Sequence, residues 1–130
     1  MGKPKILIVE DEKTIAEYLT TFLYRNGYQI PAVAATGEEA VEAAVRLRPD
    51  LVLMDIRIEG HLDGIAAAEQ IMRLIDAPVV FVSGYADRGT IDRAMEIRPS
   101  GYVVKPFRNA SLIAAITEAL GQQTKPGGQE

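Results

Sequence analysis

The sequence predicts a doubly wound α/β fold, a parallel five-stranded sheet with helices on both faces, and three observations predict it. The apolar runs Ile6–Val9, Leu51–Met54, Val79–Val82 and Tyr102–Val104 do not alternate with polar residues, as expected of strands buried on both faces. Segments of helical period separate the runs, and right-handed crossovers between parallel strands then give three layers. Each run also ends at a polar residue: Val9 into Glu10-Asp11, Met54 into Asp55, Val82 into Ser83, and Val104 into Lys105-Pro106.

Taken in order, Ile6–Val9 is the first strand. Ile15, Leu19, Phe22 and Leu23 follow at helical spacing, and Asn26-Gly27 supplies the stop. Tyr28–Ala34 reads as a weaker strand interrupted by Pro31, hence an edge. Thr36 or Gly37 opens an Ala-rich helix to Leu47, with Ala40, Val41, Ala44 and Val45 expected inward. Arg48-Pro49-Asp50 ends it, because the residue before a proline avoids helical angles. Leu51–Met54 is a central strand, Ile56–Leu62 a loop, and Asp63 the cap of a helix carrying Ile65, Ala68, Met72 and Ile75. Pro78 introduces Val79–Val82, and the loop Ser83–Ala86 leads to a short helix near Asp87–Ile97. Pro99-Ser100-Gly101 turns into Tyr102–Val104, and Asn109 caps a last helix with Leu112, Ile113, Ile116 and Leu120 facing in. Residues 1–121 are expected to form one domain, and the Gly-, Gln- and Pro-rich 122–130 a flexible tail or a truncated linker. The flavodoxin-like strand order 2-1-3-4-5 places the first and third strands side by side at the switch point, where ligands bind outside the carboxyl ends.

A length of 130 residues suits one domain with a substantial core. With no cysteine, disulfides, thiolate metal sites and cysteine nucleophiles are excluded, which fits a cytoplasmic setting. The apolar stretch after Met1-Gly2-Lys3-Pro4 is too short for a signal peptide or a membrane span. A net charge of -4 argues against direct nucleic-acid binding. Arg46 with Arg48 and Arg93 with Arg98 read as solvated helix faces.

The predicted rim gathers Glu10, Asp11 and Asp55, flanked by Ser83 and Lys105. Like charges repel by about 4 kcal/mol at 4 Å in an effective dielectric near 20, so a cation is expected among the carboxylates. Oxygen-only donors favour Mg²⁺, Mn²⁺ or Ca²⁺ over zinc, and Mg²⁺ leaves coordination positions for phosphate oxygens. Asp55 is the best nucleophile the rim offers, and a carboxylate attacking phosphorus forms an acyl phosphate. Lys105 supplies a point charge for a phosphoryl oxygen. Ser83 can donate to another, and Gly84 leaves room for close backbone approach.

These residues resemble the receiver domain of two-component response regulators. The strings that carry the resemblance are Ile-Leu-Ile-Val-Glu10-Asp11-Glu, Leu-Val-Leu-Met-Asp55, Val-Phe-Val-Ser83-Gly-Tyr85 and Gly-Tyr102-Val-Val-Lys105-Pro106-Phe107, within Lys3 to about Leu120. The resemblance implies the (βα)5 receiver fold, with Asp55 accepting a phosphoryl group from a phosphohistidine of a sensor histidine kinase or histidine phosphotransfer protein. It implies that Asp11, Asp55 and the backbone carbonyl of Arg57 hold Mg²⁺, that Glu10 acts through a metal-bound water, and that Ser83 and Lys105 bind phosphoryl oxygens. Ser83 and Tyr102 would form a switch that reshapes the face of the fourth helix, fifth strand and fifth helix. That face would dock a downstream protein, a linked output domain or a second copy of the chain.

Three departures from the family pattern are legible. Glu10 stands where aspartate is also frequent, and Ser83 where threonine is commoner. The loop Arg57-Ile-Glu-Gly-His61-Leu-Asp63-Gly64 is one residue longer than usual and lacks a proline often found there. Arg57 or His61 in this loop is therefore expected to affect phosphate access and lifetime, with Tyr85 and Pro106 as further modulators, and His61, the sole histidine, reads as an exposed loop residue rather than a ligand or phosphodonor. Two rival readings compete with this one. A dehalogenase-type aspartyl-phosphate phosphohydrolase needs a second Asp two residues after Asp55, where Arg57 stands. A receiver that binds its partner without being phosphorylated would not need the full rim.

Overall fold

The computed structural model describes residues 2–84 and 87–124, with main chain alone for 122–124. The elements run β1 (Ile6–Val9), α1 (Lys13–Arg25), β2 (Val33–Ala34), α2 (Gly37–Leu47), β3 (Leu51–Asp55), α3 (Gly64–Leu74), β4 (Val79–Ser83), α4 (Arg88–Glu96), β5 (Gly101–Val104) and α5 (Asn109–Thr124). All strand pairs are parallel, in the order β2-β1-β3-β4-β5. This is the predicted architecture.

Alternate residues of each strand feed two separate cores. Leu7, Val9, Val52, Met54, Val79 and Phe81 pack on the side of α2, α3 and α4. Ile6, Ile8, Leu51, Leu53, Val80 and Val82 pack with Leu19 and Leu23 of α1 and Leu112 and Ile116 of α5. That is why the runs carry no polar face: both sides of the sheet are covered. Each buried Leu, Ile or Phe contributes about 1.5–3 kcal/mol to holding the three layers together.

Local chemistry sets the helix ends. Asn26 caps α1 and Gly27 takes φ +96°, the left-handed turn that stops the helix. Thr36 Oγ1 accepts the Glu39 amide proton at 3.1 Å, and Asp63 Oδ1 accepts that of Ala66 at 2.8 Å. Asp87 does the same for Thr90 at 2.8 Å, opening α4 one residue inside the predicted start.

Four expectations are corrected. Strand β2 shrinks to Val33–Ala34, with one further bridge between Lys5 and Gln29, because Pro31 cannot donate to the ladder. In α2, Ala43 is buried and Val45 is 41% exposed, so the stripe lies one position off that predicted. Asn109 does not cap α5: the Arg108 carbonyl accepts from Ser111 and Leu112, while Asn109 Oδ1 accepts the Tyr18 hydroxyl proton at 2.6 Å. Helix α5 also runs on through Gly121 to Thr124, beyond the boundary expected at 121. Among the described residues no helix is long and apolar enough to cross a membrane.

Candidate functional site

The sheet register assembles the rim. Val9 pairs with Met54, so the next residues, Glu10 and Asp55, leave adjacent strand ends at the same level. Asp55 itself pairs with Val82, and Ser83 pairs with Val104, which sets Lys105 one residue beyond. The Lys105 amide donates to the Ser83 carbonyl at 2.8 Å, locking that junction. The Lys105-Pro106 peptide is cis, Pro106 is exposed and Phe107 half-buried.

Glu10, Asp11 and Asp55 each offer a carboxylate oxygen, and these oxygens lie within 4.8 Å of one another. Glu10 and Asp55 are buried at 3% and 7% exposure, although both are carboxyl side chains. Partners explain how this is sustained. Lys105 Nζ donates to Glu10 Oε1 at 3.1 Å and to Asp55 Oδ2 at 3.3 Å. The remaining oxygens accept main-chain donors, Glu10 Oε2 from Glu12 at 3.1 Å and Asp55 Oδ1 from Arg57 at 3.1 Å. The one ammonium offsets only part of the charge of three carboxylates.

The titration behaviour follows from this crowding. Burial raises the Glu10 carboxyl above its ordinary value of 4.5, and the charge of Asp55 adds to the rise. Hydrogen bonds from Glu12 and Lys105 only partly oppose it. Burial by itself would lower the Lys105 ammonium, but the charges and hydrogen bonds of Asp55 and Glu10 outweigh it and raise it above 10.5. Lysine therefore stays charged throughout the physiological range.

Ser83 is 1% exposed, and its Oγ has no hydrogen-bond partner among the described residues. A buried hydroxyl left unpaired costs about 1–3 kcal/mol, and an acceptor arriving at the rim would relieve that cost. Oxygen-only carboxylates in surplus over their cation, beside a donor awaiting an acceptor, fit a hard divalent ion and a phosphoryl group.

Tyr102 is half-buried, its ring 6.2 Å from that of Phe81 and tilted by 56°. Arg57 is exposed beside the rim, and Tyr85 lies outside the described residues. His61 is exposed in its loop, as expected. Three side chains at the mouth escaped sequence reasoning. Asp63, Thr90 and Arg93 line an open groove with Asp11 and Arg57. Arg93 Nη2 lies 3.2 Å from Asp63 Oδ2, so it is tied across the mouth rather than merely solvated. No sequence spacing signals that pair, whose members stand 30 residues apart.

Comparison with known proteins agrees with this geometry. The family model for the response regulator receiver domain matches residues 6–117. The transcriptional regulatory protein PdtaR of Mycobacterium tuberculosis is 39% identical over 118 residues, covering 91% of this chain and 57% of that protein. The phyllosphere-induced regulator PhyR of Methylorubrum extorquens is 34% identical over 117 residues, 89% of this chain and 43% of that one. The chain thus spans about half the length of these curated relatives. Among solved structures, the signal receiver domain of a modulated diguanylate cyclase from Desulfovibrio desulfuricans G20 superposes with TM-score 0.88 at 36% identity, covering 93% of this chain and 96% of that one. A CheY-like response regulator receiver domain protein from Methanospirillum hungatei JF-1 gives TM-score 0.88 at 26% identity, covering 95% and 98%.

Proposed function

Because the chain belongs to the response regulator receiver family, we propose that Asp55 accepts a phosphoryl group from a phosphohistidine of a sensor histidine kinase or histidine phosphotransfer protein. The single observation that carries this reading is the buried Ser83 hydroxyl, without a partner among the described residues, beside the Glu10–Asp55–Lys105 cluster. A purely structural cluster would have satisfied it.

Asp11 and Asp55, with the backbone carbonyl of Arg57, would hold Mg²⁺ and Glu10 would reach it through water; Mn²⁺ or Ca²⁺ would substitute. The ion supplies charge neutralisation for the phosphoryl oxygens. The chain's own residues do the rest. An Asp55 carboxylate oxygen attacks phosphorus, the P–O bond forms as the P–N bond to imidazole breaks, and the imidazole leaves and picks up a proton. Lys105, already 3.3 Å from Asp55 Oδ2, turns its ammonium to a phosphoryl oxygen, and Ser83 Oγ donates to another. Water readmitted to the rim then hydrolyses the acyl phosphate, so the chain acts as a signalling acceptor with at most self-phosphotransfer and autodephosphorylation.

The new dianion biases the β4 and β5 ends. Ser83 moves toward it, Tyr102 turns into the space released, and the α4–β5–α5 face changes shape for a downstream protein, an output domain or a second copy of the chain. Such a relay belongs in the cytoplasm. Incubation with acetyl phosphate and Mg²⁺ is expected to add one phosphoryl group to the intact protein and none to Asp55→Asn. An unchanged mass, where a control receiver is labelled, would refute the acceptor role.

A further inference from the structure

The loop between β3 and α3 carries the Arg57 carbonyl and is fastened at two places. At its start the Arg57 amide donates to Asp55 Oδ1 at 3.1 Å. Further on, residues 59–62 all meet the first turn of α2. Glu59 bridges Thr36 in parallel fashion. The His61 amide donates to Glu38 Oε2 at 3.2 Å. A Cβ placed on Gly60 would stand 2.5 Å from Glu38 Oε1, and one on Gly37 would collide with the Leu62 carbonyl. Gly60 adopts φ +106°, so glycine serves there both the left-handed turn and the close passage of that carboxylate.

The two adjacent glutamates of this turn do different work. Glu39 serves its own helix end, since its amide donates to Thr36 Oγ1 and its Oε1 accepts from Ala35 at 2.9 Å. Glu38 instead turns to a loop 23 residues away in sequence. Among the described residues no hydrogen bond or ion pair joins it to Asp55 or Lys105.

We propose that Glu38 is a positioning residue for the phosphoacceptor site, strapping the 59–62 segment so that the Arg57 carbonyl keeps its orientation beside Asp55. The proposal rests on the divalent-ion reading of the rim given above. Groups that orient metal ligands from behind change metal affinity by about 10–100-fold when removed. The strap acts through an intervening loop, so the low end is expected.

The test is a Mg²⁺ titration of the full chain followed by amide NMR, with hydrogen exchange at the His61 amide as a second readout. Glu38→Ala should bind Mg²⁺ about tenfold more weakly and exchange its His61 amide faster. Glu38→Gln keeps an accepting oxygen and should restore both. Glu38→Asp keeps the charge but is a methylene shorter and should behave as the alanine variant, which covers the case of alanine destabilising the helix. Faster His61 exchange with unaltered Mg²⁺ affinity would overturn the proposal. So would an equal loss of affinity in Glu42→Ala, which removes an exposed charge from the same helix. Asp11→Ala must abolish binding in the same titration. If it does not, the ion-binding reading fails; if it does while Glu38→Ala binds as wild type, only the strap fails.

Discussion

The two halves of the rim differ in how fully their polar groups are satisfied. On the β1 and β3 side, Glu10 and Asp55 accept main-chain protons and share the Lys105 ammonium. The loop after β3 is held there by α2 and by a close approach of Gly64 to the Asp55 carbonyl. On the β4 and β5 side, Ser83 Oγ has no partner among the described residues, Tyr102 is half-buried, Val104 is 59% exposed and Ala94 is the buried residue of α4. A half whose buried carboxylate oxygens, those of Glu10 and Asp55, are all hydrogen-bonded is held in register. A half with an orphan donor and a thinly packed helix is the one expected to respond when an acceptor arrives.

The largest effects of substitution are expected in the tight half. A Cβ at Gly64 would collide with the Asp55 carbonyl and crowd the Ile56 backbone. Gly64→Ala is therefore expected to cost about 3 kcal/mol or more, as backbone overpacking does, in urea unfolding. Lys105→Ala leaves two buried carboxylates facing each other without their cation. It should cost about 1–3 kcal/mol without divalent ions, and added Mg²⁺ should recover much of that loss. Ser83→Ala on the loose half should not lower apo stability and is expected to raise it by up to about 1–3 kcal/mol, because it removes a buried hydroxyl that has no partner among the described residues. A loss as large as that of Lys105→Ala would erase the contrast.

The smallest effect is the pH profile of the ion-free protein. Glu10 has a raised folded-state value, so its neutral form favours the fold. That contribution is complete below 4.5 and is lost as pH climbs through the raised value. Thermal melts should fall over that window, and Glu10→Gln should flatten the fall. A rise across the same window would reverse the assigned sign.

Most of the fold was legible because the signal was redundant. Four runs apolar on both faces admit few arrangements other than a covered parallel sheet, and their polar ends gather Glu10, Asp11, Asp55, Ser83 and Lys105 at one rim. What escaped depended on contacts distant in sequence. Asn109 looks like a cap until Tyr18, 91 residues away, takes its oxygen. Gly121 looks like a helix stop, yet with Pro126 as the next breaker α5 continues past it. Val45 and Ala43 exchange their expected places because α2 packs closely on α3 through small side chains, which a hydrophobic stripe alone does not report. The Lys105-Pro106 isomer and the Glu38 strap carry no local signature at all.

The most direct measurement is a crystal structure with Mg²⁺ and beryllofluoride, a mimic of the phosphoryl group. The mimic is expected on Asp55, with Ser83 Oγ and Lys105 Nζ each within hydrogen-bond distance of its fluorines and the cation between Asp11 and Asp55. Beryllofluoride bound elsewhere, or Ser83 still unpartnered with Asp55 occupied, would contradict it.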